Sequence, residues 1–135
     1  MRKPLPFESD ARAVSQRGSA VVDFVLVGAL LTLIFLSVLQ LALILHVRNT
    51  LIDAAASGAR FGTLADRSPE EAVNRTKALI DASLNPTFSQ QISYSEQELN
   101  GVDTLTITVR APFPVIGFLG LEQSLEVTGH AVVQR

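Results

Sequence analysis

The sequence contains no cysteine and no tryptophan, and only one methionine and one tyrosine. Without cysteine, no disulfide can stabilise a folded domain and no thiolate metal site can form. The two histidines, His46 and His130, are far apart, and neither has further ligands at a metal-binding spacing. The sequence also lacks a glycine-rich phosphate loop, a nucleophile elbow and a recognisable pair of catalytic acids. We therefore expect no enzyme activity, no cofactor and no metal.

Charged residues are absent from Phe24 to Leu45, a run of 22 residues dominated by aliphatic side chains. A helix needs about 20 apolar residues to cross a hydrocarbon core of about 30 Å, so the run predicts a transmembrane span over about residues 24–46. A buried core helix is one alternative, but the remaining chain is too small to cover it on all sides. A signal peptide is another, but its apolar region is only about 7–15 residues long.

The distribution of basic residues predicts the orientation of the span. Arg2, Lys3, Arg12 and Arg17 precede it, opposed by only two acids. Lys and Arg accumulate on the cytoplasmic side, which favours a cytoplasmic N-terminus. Residues 1–18 contain two prolines and several charges, and we predict a disordered cytoplasmic leader there. The net charge of −2 and the lack of a later basic block give no indication of nucleic-acid binding.

A long helix is predicted over residues 19–62. Ser19 is a good N-cap, and 44 residues of helix extend about 66 Å, roughly twice the hydrocarbon thickness. Ala54, Gly58 and Gly62 lie on one line of this helix and permit close backbone approach, so they are helix-packing candidates. Two interpretations are open. In the first, these residues pack against a helix of a partner. In the second, they pack against the extracytoplasmic domain of the same chain, and Gly62 ends the helix. We favour the second interpretation because this part of the helix lies outside the lipid.

Residues 63–135 are predicted to form an extracytoplasmic domain. Ser68 followed by Pro69, Glu70 and Glu71 gives an N-cap, a proline in the first turn and a capping-box acid, which start a short second helix. Asn85-Pro86 ends that helix. The fold class is therefore α+β, a long N-terminal transmembrane helix followed by a short helix and a small antiparallel sheet of about three strands.

The three strands are indicated by alternating side chains that begin at Phe88, Thr104 and Leu125. Asn100-Gly101 marks the first turn, although Glu98 and Asp103 indicate a loop longer than two residues. These acids, with Glu96, can attract a cation, but a solvated hairpin tip is favoured because regular ligand spacing is absent.

An apolar segment from Phe113 to Leu121 separates the second and third strands and carries no charge. Two interpretations remain open for it. The segment covers the core of the sheet as a lid, or it contacts a membrane surface or a partner, because an exposed apolar patch of this kind requires a function.

Asp23 lies at the edge of the apolar run, where a carboxylate is costly unless something compensates it. The dipole of a helix that starts near Ser19 is one compensation. A cut between Gly18 and Ser19 offers another, because it creates an amine four residues before Asp23 on the same helix face, or in an adjacent subunit. Such a cut would convert an anchored precursor into a subunit that can pack with others.

The string from Gly18 to Phe24, Gly-Ser-Ala-Val-Val-Asp-Phe, resembles the processing site of type IV prepilins. An aromatic directly after the acid is the variant seen in the Tad (Flp) pilus system. The segment Asp53–Phe61, with its Ala-Ala-x-x-Gly-Ala-Arg pattern, is similar to a second part of the TadE-like (TadE/TadF) minor pseudopilins. Residues 18–62 carry the resemblance, with Asp23 where the family more often has Glu.

The resemblance implies a bacterial membrane protein of Tad pilus assembly. A membrane aspartyl prepilin peptidase would cut between Gly18 and Ser19, and Asp23 and Phe24 would act in recognition or assembly. Other pilins or pseudopilins and the Tad assembly proteins would be its partners. A single-pass, membrane-anchored interaction module of the cell envelope, without N-terminal processing, is the alternative function.

Overall fold

The computed structural model describes residues 6–114 and 124–133, with side chains from Gln16 onward. Helix α1 (Pro6–Gly62) is followed by helix α2 (Pro69–Ser83) and a short 3-10 turn (Pro86–Ser89). Strands β1 (Gln91–Leu99), β2 (Val102–Pro112) and β3 (Ser124–Val132) form one antiparallel sheet in the order β1-β2-β3. The predicted α+β class is confirmed. Of the predicted apolar segment, residues 115–121 lie outside the described residues.

The start of α1 differs from the prediction. The helix begins at Pro6, so residues 6–18 are helical rather than disordered, and Ser19 is not an N-cap. Proline suits the first turn of a helix because the N–H that it lacks has no partner there. Gly18 costs about 1 kcal/mol relative to alanine in a helix interior, which is too little to end a helix with good helix formers on both sides.

Two compact units divide the chain, Met1–Leu39 and Gln40–Arg135. In the first unit, every side chain from Gln16 to Leu39 is exposed. The most apolar window of α1 has none of its residues buried inside the structure. A buried core helix therefore does not account for the apolar run, because no part of the chain that the structure describes covers residues 24–39.

In the second unit, β1 and β2 form a hairpin with a two-residue turn. Asn100 and Gly101 have φ values of +54° and +81°, and Leu99 pairs directly with Val102. Positive φ at both turn residues gives a twist that matches the flanking strands. The prediction of a longer loop is therefore wrong, and Glu98 and Asp103 are partners across the ladder.

The start of β1 also differs from the prediction. Phe88, expected in the strand, belongs to the 3-10 turn, and its side chain packs against the core. The Asn85 side chain caps this turn by accepting from the Thr87 N–H at 3.0 Å. Proline at position 86 favours the turn because its φ is fixed near that of a helix.

The core of the second unit lies between one face of the sheet and the two helices. The α2 capping box is present as predicted, with the Glu71 carboxylate accepting from the Ser68 N–H at 2.9 Å. Apolar side chains from four elements make up the core: Val47, Leu51, Ala54, Ala55 and Ala59 of α1, Ala72 and Ile80 of α2, Leu105, Ile107, Val109 and Ala111 of β2, and Leu125 and Val127 of β3.

Candidate processing and assembly segment

The four residues predicted for processing and assembly lie on α1 in the first unit. Gly18, Ser19, Asp23 and Phe24 are all exposed, and the Phe24 side chain reaches 79% exposure. A Cβ built on Gly18 would meet no heavy atom within 4 Å. The Gly18–Ser19 peptide bond is therefore not covered by any side chain in the described part of the molecule.

The position of Asp23 in α1 excludes the helix dipole as a compensation for its charge. Because α1 begins at Pro6, Asp23 stands roughly five turns inside the helix, whereas the dipole acts within the first turn. None of the described side chains forms an ion pair or hydrogen bond with it. The intact chain thus leaves this carboxylate exposed at the edge of an apolar helix surface.

The few polar side chains between residues 24 and 39 are compatible with lipid. The Thr32 hydroxyl donates to the Gly28 carbonyl, and the Ser37 hydroxyl donates to the Leu33 carbonyl, both at 2.8 Å. Each hydroxyl is therefore satisfied by the backbone of its own helix, as the hydrocarbon region of a bilayer requires. One helix among the described residues, within Gln16–Gly62, is long and apolar enough to cross a membrane.

The helix-packing candidates lie in the second unit, where they contact the protein's own domain. A Cβ on Gly58 would fall 2.9 Å from the Ala72 carbonyl oxygen of α2, and one on Gly62 would fall 2.8 Å from Leu105 Cδ2 of β2. Ala54 is 5% exposed and belongs to the core. These positions therefore let α1 approach α2 and the sheet closely within one chain.

A contact of Gln40 was not predicted. Its side-chain Nε2 donates to the carbonyl of Pro114 at 2.7 Å, joining two positions 74 residues apart. Gln40 stands within the predicted membrane span, and Pro114 follows the end of β2. No sequence pattern indicates this bond, because a single polar residue in an apolar run carries no information about a distant partner.

Two further polar contacts stabilise the second unit. The Lys77 ammonium lies 2.8 Å from Asp81 Oδ2, and the Ser89 hydroxyl donates to the same carboxylate. Hydrogen bonds from Lys77 and then Ser89 lower the pKa of Asp81 below its ordinary value. The Tyr94 hydroxyl donates to Glu70 Oε1 at 2.7 Å, which lowers the pKa of Glu70 and raises that of Tyr94. These bonds attach the 3-10 turn and β1 to α2.

The remaining ionisable residues do not converge. Among the described side chains, those of residues 16–114 and 124–133, no group of three or more His, Asp and Glu is placed to hold a metal ion. His130 Nδ1 lies 2.8 Å from Thr106 Oγ1 on the exposed face of the sheet, and His46 is exposed on α1. Glu96, Glu98 and Asp103 line a shallow groove at the β1–β2 hairpin.

A long helix with an exposed apolar surface, followed by a small α+β domain, fits a membrane-anchored protein. The family model described as TadE-like protein matches residues 18–60. The match confirms the resemblance over 43 of the 135 residues, and it is consistent with a TadE-like protein of the Tad pilus system. No curated protein and no solved structure matches the chain.

Proposed function

We propose that this protein is a pseudopilin-like membrane protein that acts in Tad (Flp) pilus assembly, and that a prepilin peptidase processes it between Gly18 and Ser19. One observation carries the proposal. The TadE-like match begins at Gly18, directly before a helix surface that is apolar and wholly exposed through Leu39. An apolar surface of that length requires lipid or other apolar helices around it, and a pilus subunit meets both in turn.

The local structure supports cleavage at this position. A protease must separate the scissile bond from the helix, which costs the backbone hydrogen bonds of about one turn. Gly18 lowers that cost because glycine is the weakest helix former after proline. No described side chain packs on Gly18, so local unwinding there breaks no tertiary contact.

Cleavage would also change the electrostatics of Asp23. The new α-amine of Ser19 would stand four residues before the carboxylate, and a new helix N-terminus would stand one turn before it. Neither compensation exists in the intact chain, where Asp23 lies deep within α1. Processing would therefore convert an uncompensated acid into one member of a charge pair, within one subunit or between neighbouring subunits.

The proposed topology follows from the basic residues before the apolar run. They favour a cytoplasmic N-terminus, so residues 63–135 would lie outside the cytoplasm. The partners would be the prepilin peptidase, other pilins or pseudopilins and the Tad assembly proteins. The protein would be a substrate and an assembly component, with no catalytic role of its own.

The first experiment tests processing with a matched pair of glycine variants. Gly18 and Gly28 both lie on the exposed helix, and a Cβ on either would meet no heavy atom within 4 Å. The full chain is co-expressed with its prepilin peptidase, and the mass of the product is measured. We expect the wild-type chain and Gly28→Ala to lose residues 1–18 at the same rate, and Gly18→Ala to lose them about fivefold more slowly.

An intact wild-type N-terminus in the presence of active peptidase would refute processing. That outcome would favour the alternative, an anchored interaction module that is never cleaved. Cleavage of Gly18→Ala at the wild-type rate would instead show that the glycine does not define the site.

The second experiment tests the role of Asp23 after cleavage. Asp23→Asn removes the charge and keeps the shape, whereas Asp23→Glu keeps the charge. We expect the wild type and both variants to insert into membranes equally. Only Asp23→Asn should fail to co-isolate with the other pilins. Normal assembly by Asp23→Asn would show that the carboxylate is not needed for subunit pairing.

A further inference from the structure

The two sides of α1 differ at the beginning of the second unit. On one side, burial begins at Gln40 and continues through Leu43 to Val47, which is 2% exposed. On the other side, Leu41 and Leu45 remain 57% and 48% exposed. The first polar side chain on that free side is His46, followed by Arg48. The domain therefore covers α1 before the apolar sequence has ended.

This offset is comparable to the thickness of one interfacial layer. Gln40 and Leu45 are five residues apart, or about 7.5 Å along a helix. A bilayer of about 40–45 Å with a hydrocarbon core of about 30 Å has an interfacial layer of about 5–7.5 Å on each side. A hydrocarbon boundary at Gln40 places the helix from Gln40 to Leu45 in the interfacial layer, and a boundary nearer Leu45 places the Gln40 level inside the hydrocarbon core.

The chemistry at this level suits an environment with little water. The Gln40 side-chain amide donates to the Pro114 carbonyl at 2.7 Å, so the donor and the acceptor are hydrogen-bonded without water. Pro112 and Pro114 have no backbone N–H to leave unpaired. Phe113 between them packs partly against the core. In sequence, no charged residue occurs from Ala111 to Leu121.

We propose that the end of the domain formed by Gln40, Phe113 and Pro114 rests in the interfacial layer of the lipid bilayer. Leu41 and Leu45 belong to the same unit and are exposed apolar side chains at this level, so a bilayer that surrounds them also reaches this end of the domain. The proposal rests on membrane anchoring of α1 and goes beyond the role in assembly. Its consequence is that the domain is held against the membrane instead of standing away from it.

Tryptophan fluorescence tests the proposal because the chain contains no tryptophan. Three single-tryptophan variants of the full chain are placed in phosphatidylcholine vesicles whose acyl chains carry bromine. Leu30→Trp reports the membrane span, and Phe113→Trp reports the proposed surface. Leu99→Trp is the control, because Leu99 lies at the β1–β2 turn, at the opposite end of the sheet from Phe113. We expect bromine to quench the first two and to leave the third unchanged.

The pattern of quenching separates this proposal from the proposed function. If Leu30→Trp is quenched and Phe113→Trp behaves like Leu99→Trp, the helix is anchored and the interfacial contact is refuted. If Leu30→Trp is not quenched either, both the contact and the membrane anchoring fail.

A second measurement does not depend on replacing the packed Phe113 ring. The chain has no cysteine, so a spin label can be attached to Pro114→Cys alone, which keeps the backbone carbonyl that Gln40 contacts. We expect this label to be more accessible to oxygen than to a water-soluble nickel complex, and a label on Val102→Cys to show the reverse. Equal accessibilities at the two positions would overturn the proposal.

Discussion

The two parts of α1 are both helical and rich in aliphatic residues, yet they reach opposite states. From Gln16 to Leu39 every side chain is exposed, and the surface is apolar on all sides after Asp23. From Gln40 to Gly62 one side carries core residues such as Leu51 and Ala55, while Arg48 and Arg60 face outward. A helix that is apolar all round requires a surrounding apolar medium, whereas an amphipathic helix can be covered by its own domain.

The difference also shows how the meaning of one residue type depends on its surroundings. Glycines 18 and 28 in the first part have open space where a Cβ would stand. Gly58 in the second part faces α2, where Thr76 occupies the space that its missing side chain leaves. Gly18 and Gly28 affect only the backbone of the helix, whereas Gly58 determines how closely α1 packs against α2.

Leucine truncation should separate the two parts most strongly. Leu51 is 0% exposed, and Leu51→Ala should lower the free energy of unfolding of the second unit by about 2–5 kcal/mol, since it removes buried methyl groups and leaves a cavity. Leu31 is 60% exposed, and Leu31→Ala should leave that free energy unchanged. Urea unfolding of the full chain in detergent micelles, followed by circular dichroism, measures both. Equal losses would mean that the first part also packs within the chain.

Glycine substitution should give the next largest contrast. A Cβ on Gly129 of β3 would lie 2.6 Å from the backbone carbonyl oxygen of Ala55 on α1, and neither backbone can move without disturbing the core. Gly129→Ala should therefore destabilise the second unit by about 1–3 kcal/mol. Gly28→Ala is the control, because nothing lies within 4 Å of its Cβ position. A wild-type melting temperature for Gly129→Ala would show that β3 does not approach α1 this closely.

Two serines test where helices begin. The Ser68 hydroxyl accepts from the Glu71 N–H at 3.3 Å as the N-cap of α2, so Ser68→Ala should cost about 1 kcal/mol of stability. Ser19 lies inside α1, so Ser19→Ala should leave the helix content of the intact chain unchanged or slightly raise it. Helix content and urea midpoints of the two variants measure this. A loss of helix in Ser19→Ala would restore Ser19 as a helix start.

The sequence was sufficient to predict the elements with strong local patterns. The capping box of Ser68 and Glu71 identifies α2, and the alternation through Leu105, Ile107 and Val109 identifies β2. These signals are local, because the cap and the two-residue period each arise from neighbouring residues. The start of α1 was not predicted correctly because Gly18 and Ser19 resemble a helix boundary, although the helix continues through them.

Contacts between residues distant in sequence could not be predicted. Gln40 and Pro114 are joined only after the sheet and α1 come together, and Thr76 is a polar residue that becomes fully buried opposite Gly58. For the candidate site, the sequence identified the residues and the structure added their surroundings. Gly18 and Asp23 were found from a motif, and the structure adds that both are exposed and that the helix dipole does not reach Asp23.

The smallest expected effect concerns the pH dependence of the second unit. Hydrogen bonds from Lys77 and Ser89 lower the pKa of Asp81 below its ordinary value of 3.8. A carboxyl whose pKa is lower in the folded state stabilises the fold above its unfolded pKa, and this contribution is lost as the pH falls through the folded pKa. Stability should therefore decrease below about pH 4 in the wild type.

Asp81→Asn should reduce stability at neutral pH slightly and make the acid part of the stability curve flatter. The control is Lys77→Met, which keeps Asp81 but removes the hydrogen bond that lowers its pKa most. This variant should also flatten the acid part of the curve. Urea midpoints between pH 2.5 and pH 7 measure the difference. The first part of α1 carries only Arg17 and Asp23 as charged residues among its described side chains, so its helix content should not follow the same curve. Unchanged slopes in both variants would show that the attachment of the 3-10 turn to α2 does not depend on the charge of Asp81.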